Sequence, residues 1–179
     1  MIDFTLSEQQ SAVRNAARSF AADTLSTARA TYSQHAEQYR RFQATKPLYR
    51  EAVKAGLVKA QVPASMGGAG GGLVDSAILT EELYAVETSV PVTVLATGLG
   101  LLPLVLAGSE EQREEFLKPF INGEGEPLAS LVHSEPNGTA NWLEKGGKRL
   151  QTTAQKVGEE CSDAHNTIHI KLFLSSVLC

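Results

Sequence analysis

The chain has 179 residues, of which 42% are hydrophobic and 20% charged, enough for one ordinary globular domain or for one domain and a piece of a second. That composition excludes a disordered chain. Sixteen Lys and Arg against twenty Asp and Glu give a net charge of -4, so the basic footprint that binding to a phosphate backbone requires is missing, and nucleic acid is not an expected partner.

Met1-Ile2-Asp3-Phe4-Thr5 carries no basic stretch, and capping residues interrupt it before an apolar run can form, so no secretory signal is expected. Cys161 and Cys179 both lie in the last nineteen residues. The expectation is therefore a reducing, intracellular compartment, the cytoplasm by default, in which the sequon Asn137-Gly138-Thr139 has no meaning.

Ser7-Glu8-Gln9-Gln10 has capping-box spacing, and Val13, Ala16, Ala17, Phe20 and Ala21 recur at three- and four-residue intervals behind it, which predicts a first amphipathic helix. Ser26 to Gln43 is polar with weak periodicity and leaves its boundaries open. Pro47 suits a first helical turn and Gly56 a left-handed stop, so a second, short helix is predicted over Pro47 to Ala55. Val62 to Gly72 holds five glycines and reads as a loop, but neither a G-x-G-x-x-G triple nor a following G-K-[ST] can be drawn through it, which argues against a nucleotide cradle.

Val74 to Val86 forms the third predicted helix, with Ile78, Leu79, Leu83 and Val86 as its apolar stripe. Glu81 and Glu82 are adjacent, so they diverge around the axis and are assigned to solvent or an ion pair and not to acid-base work. Val92 to Ala107 is apolar on most sides and predicts a helix at the centre of a bundle, bent or broken at Pro103. The apolar stretch from Pro91 to Ala107 falls short of the roughly 20 residues that span a bilayer, and no membrane is expected as a partner. Ser109-Glu110-Glu111-Gln112 repeats the capping box ahead of Phe116, Leu117 and Phe120, and Pro119 and Gly123 close the helical region. From Leu128 the pattern changes: Leu128 to Val132 reads as a strand entering the turn Ser134 to Gly138, and Leu150 to Gly158 as a further strand.

Ser134-Glu135-Pro136-Asn137-Gly138-Thr139 places hydroxyls and turn N–H groups on one edge, which could hold a polar ring or a phosphate. The segment resembles the T-E-P-x-x-G-S-D stretch of the acyl-CoA dehydrogenase superfamily, which lines the flavin of FAD. Leu6-Ser7-Glu8-Gln9-Gln10 resembles that family's opening helix, Val62-Pro63 with Gly67-Gly68-Ala69-Gly70 its P-x-x-x-G-G-x-G loop, Glu81-Glu82-Leu83 its E-E-L helix, and Lys118 to Glu124 its K-x-L-P-x-x-x-x-G-E segment. Within the superfamily, Phe42 to Thr45, Tyr49 to Val53 and Gly125 to Trp142 look most like the fungal nitroalkane oxidases.

The resemblance implies a mainly α fold: an acyl-CoA dehydrogenase-like N-terminal helical domain over 1–124, followed over 125–160 by the first strands of an incomplete β-domain. It implies FAD as cofactor and a nitroalkane as substrate, oxidised to aldehyde or ketone with release of nitrite and peroxide; an acyl-CoA is the alternative substrate, and a helical interaction module without chemistry is the alternative of another class. Carried over by position, Leu131, His133 and Ser134 would lie along the isoalloxazine, and Gly138, Thr139 and Ala140 would follow in the turn. Thr139-Ala140-Asn141 stands where the family has G-S-D, so a serine hydroxyl is missing, which weakens an acyl-CoA substrate more than it weakens FAD. No residue of the chain is assigned as catalytic, because the family's carboxylate base is implied to lie in a C-terminal domain that also carries much of the oligomer surface of full-length homo-oligomeric relatives.

After Glu159 the family pattern stops. Residues 161–179 are expected to be a divergent, non-native tail of a chain cut short, and the fragment is expected to be inactive alone. Cys161, His165 and His169 are four apart and would share a face on a helix, but alternation downstream favours a strand, which separates them; no metal is expected.

Overall fold

In the computed structural model the described residues are 5–131, 153–157 and 160–164, the last two stretches through their backbone only. The chain divides into two compact units, Met1–Ser130 and Leu131–Cys179. Among its described residues the regular elements of the first are helical: α1 Glu8–Asp23, α2 Ala28–Tyr32, α3 Gln38–Lys54, α4 Leu73–Tyr84, α5 Ser89–Ala107 and α6 Glu110–Ile121, with single 3-10 turns at Leu25–Thr27, Lys59–Gln61 and Ala64–Met66.

Both capping boxes form as the spacing requires. Ser7 Oγ accepts from the Gln10 amide at 3.1 Å while the Gln10 side chain accepts from the Ser7 amide at 2.9 Å, and Ser109 and Gln112 repeat the exchange at 3.2 and 2.8 Å. On α1 the small Ala17 and Ala21 are fully buried and let α4 lie close, where Leu79 and Leu83 close one core together with Leu25, Ala28 and Val90. A second core joins Tyr49, Ala52 and Val53 of α3 to Val58 and to Val94 of α5, and Phe20 and Leu57 pack against both. Arg18 at the edge of the α1–α4 contact donates from Nε and Nη2 to the two carboxylate oxygens of Glu82 at 2.9 and 2.7 Å, which gives Glu82 the ion pair expected of it.

Several expectations need correction. The second helix begins at Gln38, nine residues before Pro47, which therefore sits inside α3. The ring removes one rung of the ladder at the Gln43 carbonyl, a loss that the helix tolerates because Thr45, Tyr49, Ala52 and Val53 are buried along it. Its end is as predicted: Gly56 takes a φ of +79°, the Gly56 amide donates to the Val53 carbonyl and the Leu57 amide to the Ala52 carbonyl, both at 3.0 Å, a Schellman stop. On α4 the predicted stripe holds at Leu79 and Leu83, but Val86 lies beyond the helix and is exposed.

Helix α5 also differs. It runs 19 residues without a break at Pro103, long and apolar enough to cross a membrane by length and composition. It is not enclosed on all sides. Val90, Val94, Thr97, Gly100, Leu101 and Leu104 are buried, whereas Val92, Leu99, Leu102 and Leu106 are exposed by 42 to 72%. The exposed positions recur at helical spacing and form a second apolar face.

Leu128 to Leu131, read as strand, has no strand assignment, and Val132 lies outside the described residues. The second unit contains an antiparallel pair, β1 Thr153–Val157 and β2 Glu160–Ala164, in register from Thr153 opposite Ala164 to Val157 opposite Glu160. β1 falls within the predicted strand over Leu150 to Gly158. β2 begins at Glu160, the last residue expected of the β-domain, and continues into the stretch expected to be a divergent tail.

Glu87, which the sequence did not mark, is only 7% exposed at the entrance to α5. Its carboxylate accepts from the Val90 amide at 2.8 Å and from the Tyr32 hydroxyl at 3.1 Å, so it satisfies one orphan donor of α5 and ties α2 to it. Burial works to raise its pKa, but the bonds to Val90, Ser89 and Tyr32 outweigh it and hold the group below the ordinary 4.5. A depressed folded-state pKa means stabilisation that is fully present above pH 4.5 and is lost as pH falls through the lower folded value. Glu87→Gln should therefore cost about 1 kcal/mol at neutral pH, and the gap between the variant and the parent should narrow in thermal melts taken at successively lower pH below 4.5.

Candidate functional site

The glycine loop can be tested first as a ligand cradle. Its amides are already engaged: Gly67 donates to Ala64, Gly68 to Pro63, Ala69 to Lys59 and Gly70 to Val62, at 2.9 to 3.1 Å, and Gly72 donates to the Asp75 carboxylate. A side chain at Gly68 or Gly70 would collide with the Val62 carbonyl, so these two glycines permit a close backbone fold, and Gly67 supplies a φ of +82°. The loop is a structural corner with no free N–H fan for phosphate at those positions. A shallow cleft beside it, ≈ 560 Å³ and lined by Ser65, Met66, Glu110, Arg113, Glu114 and Lys118, mixes both charge signs and presents no convergent set. Among the described residues no group of His, Cys, Asp and Glu could hold a metal; His165 and His169 lie outside them.

A different part of the molecule holds the segment that leads into the candidate flavin edge. Residues 126–130 lie along α3 and α5. Tyr49, buried on α3, donates its hydroxyl to the Pro127 carbonyl at 2.6 Å and lies 3.1 Å from Thr97 Oγ1 of α5. Burial pushes the Tyr49 pKa up, against the opposing bond to Thr97, so the hydroxyl keeps its proton. Glu126 accepts from Arg50 and pairs with Lys46 at 3.4 Å, and the Arg50 bond first of all holds its carboxyl below the ordinary range. At Gly100 a Cβ would stand 2.5 Å from the Ala129 carbonyl carbon and the Ser130 nitrogen, so backbone packs on backbone there. Sequence reasoning passed over Tyr49, Thr97 and Gly100 as members of this contact, because nothing local announces partners 48 and 78 residues apart.

Of the six residues assigned to the flavin, Leu131 alone is described; it is 42% exposed, an apolar side chain accessible to a ring. His133, Ser134, Gly138, Thr139 and Ala140 lie outside the described residues, as does Trp142.

The sequence model of the acyl-CoA dehydrogenase N-terminal domain matches residues 7–124. The chain belongs to the acyl-CoA dehydrogenase family. It is 58% identical to nitroalkane oxidase of Fusarium oxysporum over 160 residues, which are 89% of this chain and 36% of that protein. It superposes with a TM-score of 0.84 and 57% identity on a solved nitroalkane oxidase, an active-site mutant crystallised with 1-nitrooctane, covering 89% of this chain and 37% of that one. An acyl-CoA dehydrogenase from Bacillus anthracis, complexed with FAD, gives a TM-score of 0.71 at 26% identity, covering 91% of this chain and 26% of that one. The chain thus spans little more than a third of the length of its nitroalkane oxidase relative. The likeness covers the mostly helical fold that the sequence implied.

The close approach at Gly100 yields a prediction with a sign that can be checked. In a helix interior Gly→Ala ordinarily stabilises by about 1 kcal/mol. Here the methyl group would meet backbone that cannot rotate away, so Gly100→Ala should lower the melting temperature, by overpacking or by displacing residues 126–130. A rise in melting temperature would show that the segment does not lie on α5.

Proposed function

We propose that this chain is the N-terminal, flavin-facing portion of an FAD-dependent nitroalkane oxidase. The observation that supports this most is the reach of the nitroalkane oxidase match. A contiguous match of 160 residues in a chain of 179 must include residues 20–160 wherever it starts, and so runs past the helical domain and through the whole candidate edge at 131–140. In this reading Leu131, His133 and Ser134 lie along the isoalloxazine, Ser134 offering a hydroxyl where the family has threonine, and Gly138, Thr139 and Ala140 shape the adjoining turn. FAD, when bound, supplies a two-electron acceptor. The chain's own part is to position the edge and exclude water from one side of it, while the α-proton of the nitroalkane goes to a base outside these 179 residues. The substrate is a small neutral nitroalkane, the products are aldehyde or ketone, nitrite and peroxide, and the setting is the reducing cytoplasm. An acyl-CoA substrate ranks second, because Ala140 lacks the serine hydroxyl of the G-S-D pattern.

One observation favours a non-catalytic reading. The exposed face of α5, with Val92, Leu99, Leu102 and Leu106, is an apolar surface suited to a protein partner.

The reading is tested by replacing the matching segment of the Fusarium enzyme with residues 1–160 of this chain. The chimera should retain FAD and release nitrite from nitroethane within about tenfold of the parent. A folded chimera that binds no flavin would contradict the assignment of the edge, and turnover of an acyl-CoA without nitrite would reverse the order of substrates.

A further inference from the structure

The contact between α3, α5 and residues 126–130 contains more acceptors than protons. Tyr49 Oη lies 2.6 Å from the Pro127 carbonyl and 3.1 Å from Thr97 Oγ1, and Thr97 Oγ1 lies 2.9 Å from the Thr93 carbonyl. Each hydroxyl carries one proton, so two protons serve three contacts. Two arrangements satisfy both hydroxyls. In one, Tyr49 donates to Pro127 while Thr97 donates to Tyr49 or to Thr93. In the other, Tyr49 turns its proton to Thr97, Thr97 donates to Thr93, and the Pro127 carbonyl is released to water. The Thr93 carbonyl does not depend on either choice, since it lies in α5 and takes the amide of the residue four positions on.

We propose that Tyr49 is a positioning residue that latches residues 126–130 to the helical domain and that Thr97 is its standby partner, so that the segment can let go without leaving a buried hydroxyl unpaired. The cost that normally locks such a contact, an unsatisfied polar group in a dry interior, is absent here because Thr97 is itself 1% exposed and within reach. The remaining holds on the segment are weaker. Glu126 is 20% exposed against an Arg50 that is 49% exposed, an arrangement that solvent screens, and Gly100 provides only room. The hydroxyl pair therefore decides how long the segment stays down. Ser130 is the last residue of the helical unit, and any consequence for flavin contact rests on the function proposed above; the latch itself does not.

The two hydroxyls make opposite predictions, which separates a latch from simple packing. Tyr49→Phe removes the bond to Pro127 and should speed native-state cleavage between residues 126 and 131 by subtilisin, mapped by mass spectrometry, roughly 3- to 10-fold. Thr97→Val keeps the latched bond but takes away the standby acceptor, so cleavage in the same window should slow roughly 2- to 5-fold. The digestion is run on the 179-residue chain without flavin, so it is independent of whether FAD binds, and circular dichroism confirms that the helices persist. Unchanged cleavage in Tyr49→Phe, or faster cleavage in Thr97→Val, overturns the proposal. Should Tyr49→Phe lose its helical signal, the Thr97→Val result alone decides, because a structural role for the hydroxyl predicts acceleration there and the standby role predicts slowing.

Discussion

One face of α5 carries the contacts on which the helical unit depends. Glu87 holds its first turn, the Gln61 side chain donates to the Val94 carbonyl at 2.8 Å, Tyr49 meets Thr97, residues 129–130 lie on Gly100, and Arg113 reaches the Leu104 carbonyl at 3.4 Å. Small and polar residues at 97, 98 and 100 make this possible in a helix that is otherwise apolar, because they let side chains and backbone from other elements come within hydrogen-bonding distance of the axis. The glycine loop, α3 and the segment leading into the candidate edge are each fixed through α5.

The same helix has two unlike sides. Its buried side is filled by Tyr49, Gln61 and residues 129–130. It provides a rigid support on which residues 126–130 are laid. The ion pairs of Glu126 and the Tyr49 hydroxyl divide the work: the former are partly exposed and tolerant of movement, the latter is buried and directional.

Features governed by neighbours in sequence were legible. Ser7 with Gln10, Ser109 with Gln112, and Gly56 after Ala55 announce helix ends because the bonds involved close within six residues. Pro47 misled, since its preference for a first turn is overridden when the helix beyond it buries Tyr49, Ala52 and Val53. The two faces of α5 could not be told apart either: an apolar run fixes what prefers to leave water but not what arrives to cover it, so Leu99 and Leu101 read alike although one is 51% and the other 4% exposed. The contacts of Glu87 and Tyr49 were not legible for another reason, that a buried polar residue takes its meaning from partners 55 and 78 residues away. The family was legible because several short motifs stood in the right order; the flavin contacts it implies fall, except for Leu131, outside the described residues.

The central claim is the proposal that this chain carries a flavin edge at residues 131–140. It is tested most directly by purifying the 179-residue chain, adding FAD, removing the excess by gel filtration and recording the visible flavin band of the protein fraction alongside its helical circular dichroism. The account predicts a band that co-elutes with folded protein and is shifted or resolved relative to free FAD. Folded, helical protein that elutes colourless at saturating FAD would contradict it.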